Sequence, residues 1–262
     1  MTDEIGGEAV FTGGLTYRVD GHRRLMLDVL RPMAAAAPRP LVVFVHGGGW
    51  HEGDRGAGMH PWINPLLVAQ GFVTASVTYR LSGEAHWPTP LHDVHAALRW
   101  LRAHAREFGA DPGRVGLWGH SAGAHLAAMV ALTATGRDRP RAVALSACPA
   151  DLRNDRLDSG NEVARLMGPE ATTDTLSAAS PICHVHASAP PFLLAHGTAD
   201  KVVRFDQGLA FRDALLAAGA EVSWKPIEGA PHEWADLPGP GDGPETAGTF
   251  GATALPFFRE HL

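Results

Sequence analysis

The chain has 262 residues, 45% of them apolar, with 22 Lys and Arg against 28 Asp and Glu for a formal charge of −6. That length and composition bury one large core, and the acidic balance gives neither nucleic acid nor an anionic membrane an electrostatic footprint. No apolar window is long enough to span a bilayer, and the acidic start Met1-Thr2-Asp3-Glu4 lacks the basic and apolar regions of a secretory signal. Two cysteines, Cys148 and Cys183, build no disulfide framework. They read as small apolar core residues of a protein from a reducing compartment, the cytoplasm. The expectation is a single domain over 1–262, as a monomer or homodimer.

In chain order, short apolar runs alternate with longer amphipathic ones, the pattern of an α/β sheet with helices on both faces. Strands are expected at Leu25–Leu30, Leu41–Val45, Phe72–Tyr79, Arg114–Trp118, Ala142–Ser146, Phe192–Ala195 and Glu221–Ile227. Several are unbroken Val/Leu/Phe runs, as parallel strands covered on both faces require. Ala34–Pro40 reads as a loop before a central strand. Helical spacing runs through Pro90–Phe108 and an Ala-rich His120–Thr135. It recurs in Phe205–Ala218, closed by Gly219 as a C-cap, and Pro256–Leu262 reads as a short terminal helix. Two stretches break the alternation. Ala150–Pro191 is too long for a plain connection and reads as a small helical cap or insertion, and Leu237–Glu245 reads as an extended surface loop.

The string Gly119-His120-Ser121-Ala122-Gly123 matches G-x-S-x-G and lies between an expected strand and an expected helix. A serine can there be held on a sharp turn as a nucleophile; the plain alternative is a serine capping a helix. A serine hydroxyl needs a base, and the base an orienting carboxylate. Asp200 follows the Phe192–Ala195 strand, and His232 follows the next one. Both sit where ligand sites collect in open α/β sheets, in the order Ser, Asp, His. Asp206 is the alternative carboxylate, placed to serve a helix N-terminus instead. His46-Gly47-Gly48-Gly49-Trp50 follows Leu41–Val45, and its glycines let main-chain amides approach a substrate closely. Gly48, Gly49 and the amide of Ala122 are the expected donors to an oxyanion, with the Trp50 amide as substitute. The pairs His92/His95 and His184/His186 lack third and fourth ligands at metal spacing, and nucleophilic attack by Ser121 with His232 as base requires no metal or organic cofactor. Trp50, Trp62, Trp87 and Trp234 line an aromatic pocket or pack in the core.

Taken together, HGGGW at 46–50, YRLSGE at 79–84, DPGRVGLWGHSAGAHLA at 111–127, HGTADKVV at 196–203 and EGAPHEW at 228–234 resemble the α/β-hydrolase superfamily. The resemblance is to hormone-sensitive-lipase-like carboxylesterases and the feruloyl- or acetyl-xylan-esterase-like group, and it runs from about residue 25 to 235. It implies a mostly parallel sheet of about eight strands and a serine esterase without cofactor. Its nucleophile falls on Ser121, its acid on Asp200 and its base on His232. One departure is Glu233, where relatives often carry glycine after the base, a carboxylate placed to affect the histidine or the pocket. The length of 150–191 points to short or soluble acyl groups. The same triad also serves aryl formamidases, peptidases and acyltransferases. A non-catalytic relative such as the gibberellin receptors lacks the histidine that is present here.

Overall fold

A computed structural model of the chain describes residues 2–5, 9–33, 37–59, 63–153, 161–235 and 247–262. All its described strands join one sheet: β1 (Thr2–Ile5), β2 (Ala9–Asp20), β3 (Arg23–Pro32), β4 (Arg39–Val45), β5 (Val73–Val77), β6 (Ala110–His120), β7 (Ala142–Ser146), β8 (Phe192–Gly197) and β9 (Val222–Ile227). Their spatial order is β1-β2-β3-β5-β4-β6-β7-β8-β9. The seven strands expected from the sequence are β3 to β9, and β1 and β2 add two more at the edge. The first three strands pair antiparallel, and everything from β5 through β9 pairs parallel.

The helices are α1 (Asn64–Ala69), α2 (Thr89–His104), α3 (Ala122–Thr133), α4 (Glu162–Met167), α5 (Thr173–Ala178), α6 (Phe205–Ala217) and α7 (Ala247–His261). Period-two alternation in β4 divides the core. Leu41, Val43 and Val45 pack with Leu98 and Leu101 of α2, Leu126 and Val130 of α3, and Phe211 and Leu215 of α6. Val42 and Phe44 turn to the other face, with Leu67 of α1 and Phe257 and Phe258 of α7. Each central strand is thereby buried on both sides, which is why it reads as a continuous apolar run.

Several expectations need correction. The edge strands β1 and β2 were not foreseen. β2 is only partly buried and contains Gly13-Gly14 and two register shifts against β3, so its alternation is broken. The strand expected at Phe72–Tyr79 is confined to Val73–Val77, and Ala34–Pro40 is a loop only up to Arg39, where β4 begins; residues 34–36 lie outside the described residues. The terminal helix starts at Ala247 rather than Pro256, which lies inside it. Leu237–Glu245 lies outside the described residues. Between β7 and β8 the expected helical insertion holds α4 and α5, each of six residues. Cys148 is buried but Cys183 is exposed. The expected Gly219 stop is present: its φ is +79°, and the amides of Gly219 and Ala220 bond back to Leu216 and Leu215, closing α6 in a Schellman motif.

Candidate active site

The turn from β6 into α3 carries Ser121 at φ 53°, ψ −123°, a left-handed backbone that a non-glycine residue adopts only under constraint. The flanking glycines make it affordable. A Cβ on Gly119 would lie 2.4 Å from the carbonyl oxygen of Gly123, and one on Gly123 would lie 2.0 Å from that of Val45. The amide of Ser121 donates to Ser146 O at 2.9 Å, which ties the turn to the end of β7.

Asp200 follows β8 and His232 follows β9. Gly197 lets these two loops touch, since a Cβ there would sit 2.3 Å from Ala230 O, and the Ala199 amide donates to that same oxygen at 3.1 Å. The structure brings all three expected side chains together. His232 Nδ1 is 2.8 Å from Asp200 Oδ2, and His232 Nε2 is 3.0 Å from Ser121 Oγ. All three residues are buried. An ionised carboxylate only accepts, so Nδ1 carries the proton and Nε2 presents a lone pair to the serine hydroxyl.

Asp200 is held on its other side too. Its Oδ1 accepts from the amides of Val202 and Val203, both at 2.9 Å. Burial disfavours its charge, but the His196 and His232 imidazoles beside it, with the Val202 amide, outweigh that and hold the carboxyl well below the usual range. His196 was not singled out from the sequence. Its Nε2 donates to Val203 O at 2.8 Å and lies 3.4 Å from Asp200 Oδ2. The only signal was a polar residue near the end of an otherwise apolar strand.

The glycine loop after β4 is left-handed at Gly48 (φ +101°), Gly49 (+54°) and Trp50 (+59°). Gly48 is crowded by Glu52, whose carbonyl oxygen would lie 2.4 Å from an added Cβ. The Trp50 indole donates to His125 Nδ1 at 3.2 Å, and His125 Nε2 donates to Ala179 O at 2.7 Å. An indole can only donate, so buried His125 is neutral; burial lowers its pKa from 6.5 to about 4.

A cavity of about 340 Å³ opens on Ser121 and is also lined by Gly49, Trp50, Glu162, Arg204 and Gln207. Of the expected oxyanion donors, Gly49 lines it, whereas Gly48 and Ala122 are not among its lining residues; Ala122 is buried directly after the serine. Trp50 lines the cavity, while Trp87 packs against His125 in the core. Trp62 and the Trp234 side chain lie outside the described residues. Glu233 is exposed and does not line the cavity. His184 and His186 bond main-chain carbonyls, and His95 lies 3.3 Å from the Thr133 hydroxyl. Among the described residues, only Glu221, Glu260 and His261 come within mutual metal-ligating reach.

The strand order, the parallel crossovers and the serine turn at the top of the central strand define an α/β-hydrolase. The chain belongs to the BD-FAE family, whose model matches residues 27–215. It is 32% identical over 268 residues to Esterase LipC of Mycobacterium tuberculosis, covering 88% of this chain and 64% of LipC. The chain spans about half to two thirds of the length of the curated relatives it matches. Among solved structures, the Thermogutta terrifontis esterase Est2 with butyrate bound superposes with a TM-score of 0.81 at 27% identity, covering 94% of this chain and 93% of that one. Esterase 2 of the same species, phosphonylated by cyclosarin, gives 0.81 at 26% identity, covering 98% and 95%. No described helix is long and apolar enough to cross a membrane.

Proposed function

We propose that the chain is a carboxylesterase-type serine hydrolase acting on esters of short acyl groups. The observation that carries this reading is the unbroken Ser121–His232–Asp200 relay, at 3.0 and 2.8 Å. Ser121 attacks the ester carbonyl while His232 Nε2 takes its proton. Asp200 keeps the imidazole in the required tautomer and stabilises its charged form. The tetrahedral oxyanion rests on the amides of Gly49 and Ala122, with Gly48 shaping the loop or donating as the substrate enters. His232 then protonates the leaving alcohol and draws a proton from the water that deacylates Ser121.

The cavity of about 340 Å³, at the small end of ligand sites, supports short acyl groups, as does the butyrate held by the Thermogutta esterase. Phosphonylation of esterase 2 by cyclosarin supports an activated nucleophile at the matching place here. The test is hydrolysis of p-nitrophenyl acetate and butyrate by the purified chain beside Ser121→Ala, with folding of both checked by circular dichroism. Activity that falls by about 10⁵-fold or more in the folded variant is expected. Equal rates in the two proteins, or a preference for C12 and longer chains, would overturn the reading in its nucleophile or its acyl class respectively.

A further inference from the structure

We propose that Glu162 makes the cavity beside Ser121 select esters carrying a quaternary ammonium group over neutral isosteres, and disfavour anionic ones. This rests on the esterase reading and names a substrate class for the same site. Glu162 is the first residue of α4, in the insertion between β7 and β8. It folds back onto the glycine loop: a Cβ on Gly49 would lie 2.8 Å from its Cδ and 2.9 Å from its Oε1. A carboxylate therefore lies against the loop expected to hold the oxyanion, facing the same cavity as Ser121.

Most other polar groups of that cavity already have partners. Gln207 accepts from the amides of Ala150 and Asp151 and donates to Asp151 O. Asn161 Oδ1 caps α4 by accepting from Val163. Arg204 is paired with Asp206. Among the described residues, no hydrogen bond or ion pair engages Glu162, so both of its oxygens are available to a ligand.

Its charge has a chemical consequence. A negative group beside the oxyanion loop opposes the charge that develops there, so Glu162 does not assist the chemical step. It instead supplies a counter-charge to a cationic substrate. Pro149, Val163 and Val202 give the same cavity apolar wall. A carboxylate beside apolar surface suits a cation clothed in methyl groups rather than a hydrated metal ion. A carboxylate on the first turn of a helix also interacts favourably with the helix dipole, but that role is indifferent to the charge of the substrate.

The experiment exploits that difference. Steady-state kinetics of the full chain and Glu162→Gln would use acetylcholine, its neutral isostere 3,3-dimethylbutyl acetate, and 2-sulfoethyl acetate. The ratio of kcat/KM for acetylcholine to that for dimethylbutyl acetate is expected to fall roughly tenfold in the variant, and sulfoethyl acetate to be hydrolysed faster. An equal change for all three esters would overturn the proposal. Calorimetry adds a readout without turnover and without a variant. The parent is expected to bind choline several-fold more tightly than 3,3-dimethylbutanol, and equal affinities would overturn the proposal. Choline preference without ester hydrolysis would remove the esterase reading and leave this recognition standing. Hydrolysis with an unchanged ratio would do the reverse.

Discussion

Replacing His125 by glutamine tests how the Trp50 anchor responds to acid. In the folded chain the His125 pKa is lowered from 6.5 to about 4 by burial, partly offset by the Ala179 carbonyl. Between those values the folded protein binds fewer protons than the unfolded chain. Stability from this residue is complete above 6.5 and declines as pH falls towards 4. Each pH unit inside the window costs about 1.4 kcal/mol, so lowering pH from 7 to 5 removes about 2 kcal/mol through this residue. Glutamine keeps an acceptor and a donor but does not titrate. Urea unfolding at pH 7 and pH 5, for parent and His125→Gln, gives four midpoints. Their double difference cancels every other titrating group and any fixed cost of the substitution. The variant is expected to lose about 2 kcal/mol less than the parent across that range. Parallel losses, agreeing within about 0.5 kcal/mol, would refute the claim that a neutral, Trp50-bonded histidine is buried there.

Three further substitutions probe the relay and its supports. Asp200→Asn keeps acceptor geometry for the Val202 and Val203 amides but loses the tautomer control of His232, so kcat on p-nitrophenyl butyrate should drop by roughly 10³- to 10⁴-fold with the circular dichroism spectrum unchanged. Gly123→Ala drives a methyl into Val45 O; chemical unfolding should show a loss of about 3 kcal/mol or no soluble protein. Asp93 is fully buried, and Arg80 holds it through Nε at 2.8 Å and a second guanidinium nitrogen at 2.7 Å. Arg80→Met leaves that carboxylate only the backbone amide of residue 80 at 3.1 Å and the Arg18 guanidinium at 3.4 Å, so denaturation midpoints should report a loss of about 3 kcal/mol, partly recovered in the double variant with Asp93→Asn.

What could be read from the sequence was whatever the backbone itself imposes. Ala142–Ser146 is an unbroken apolar run and is a strand over those same residues, because burial on both faces leaves no other pattern available. Ser121 was legible from the glycine-flanked string between strand and helix, and Asp200 and His232 from chain order, since each follows a parallel strand and such ends gather on one side of a sheet. β2 was not legible: most of it is only half-buried, and its bulges shift the alternation out of phase. The start of α7 at Ala247 was hidden by Gly248 and Gly251, which weaken helical propensity. Pro256 was read as an opening residue, yet it lies within the helix. His125 and Glu162 act through contacts with Trp50 and Gly49, far away in sequence. Their importance is tertiary, so no local pattern marks them.

The placement of the insertion separates two tasks that the chain could have combined. Ser121, Asp200 and His232 hang from strand ends cross-tied by main-chain bonds, Ser121 to Ser146 and Ala199 to Ala230. Glu162 and Val163 reach the same cavity from α4, on a segment whose described residues contribute no strand to the sheet. That segment is also tied into the core, where Leu152, Val163, Leu166 and Leu176 pack and Ala179 O accepts from His125, the partner of Trp50, so it can vary only where those contacts are kept. Substitutions at Glu162 and Val163, which face the cavity, redirect which ester is accepted while the strand ends that cut it stay where they are.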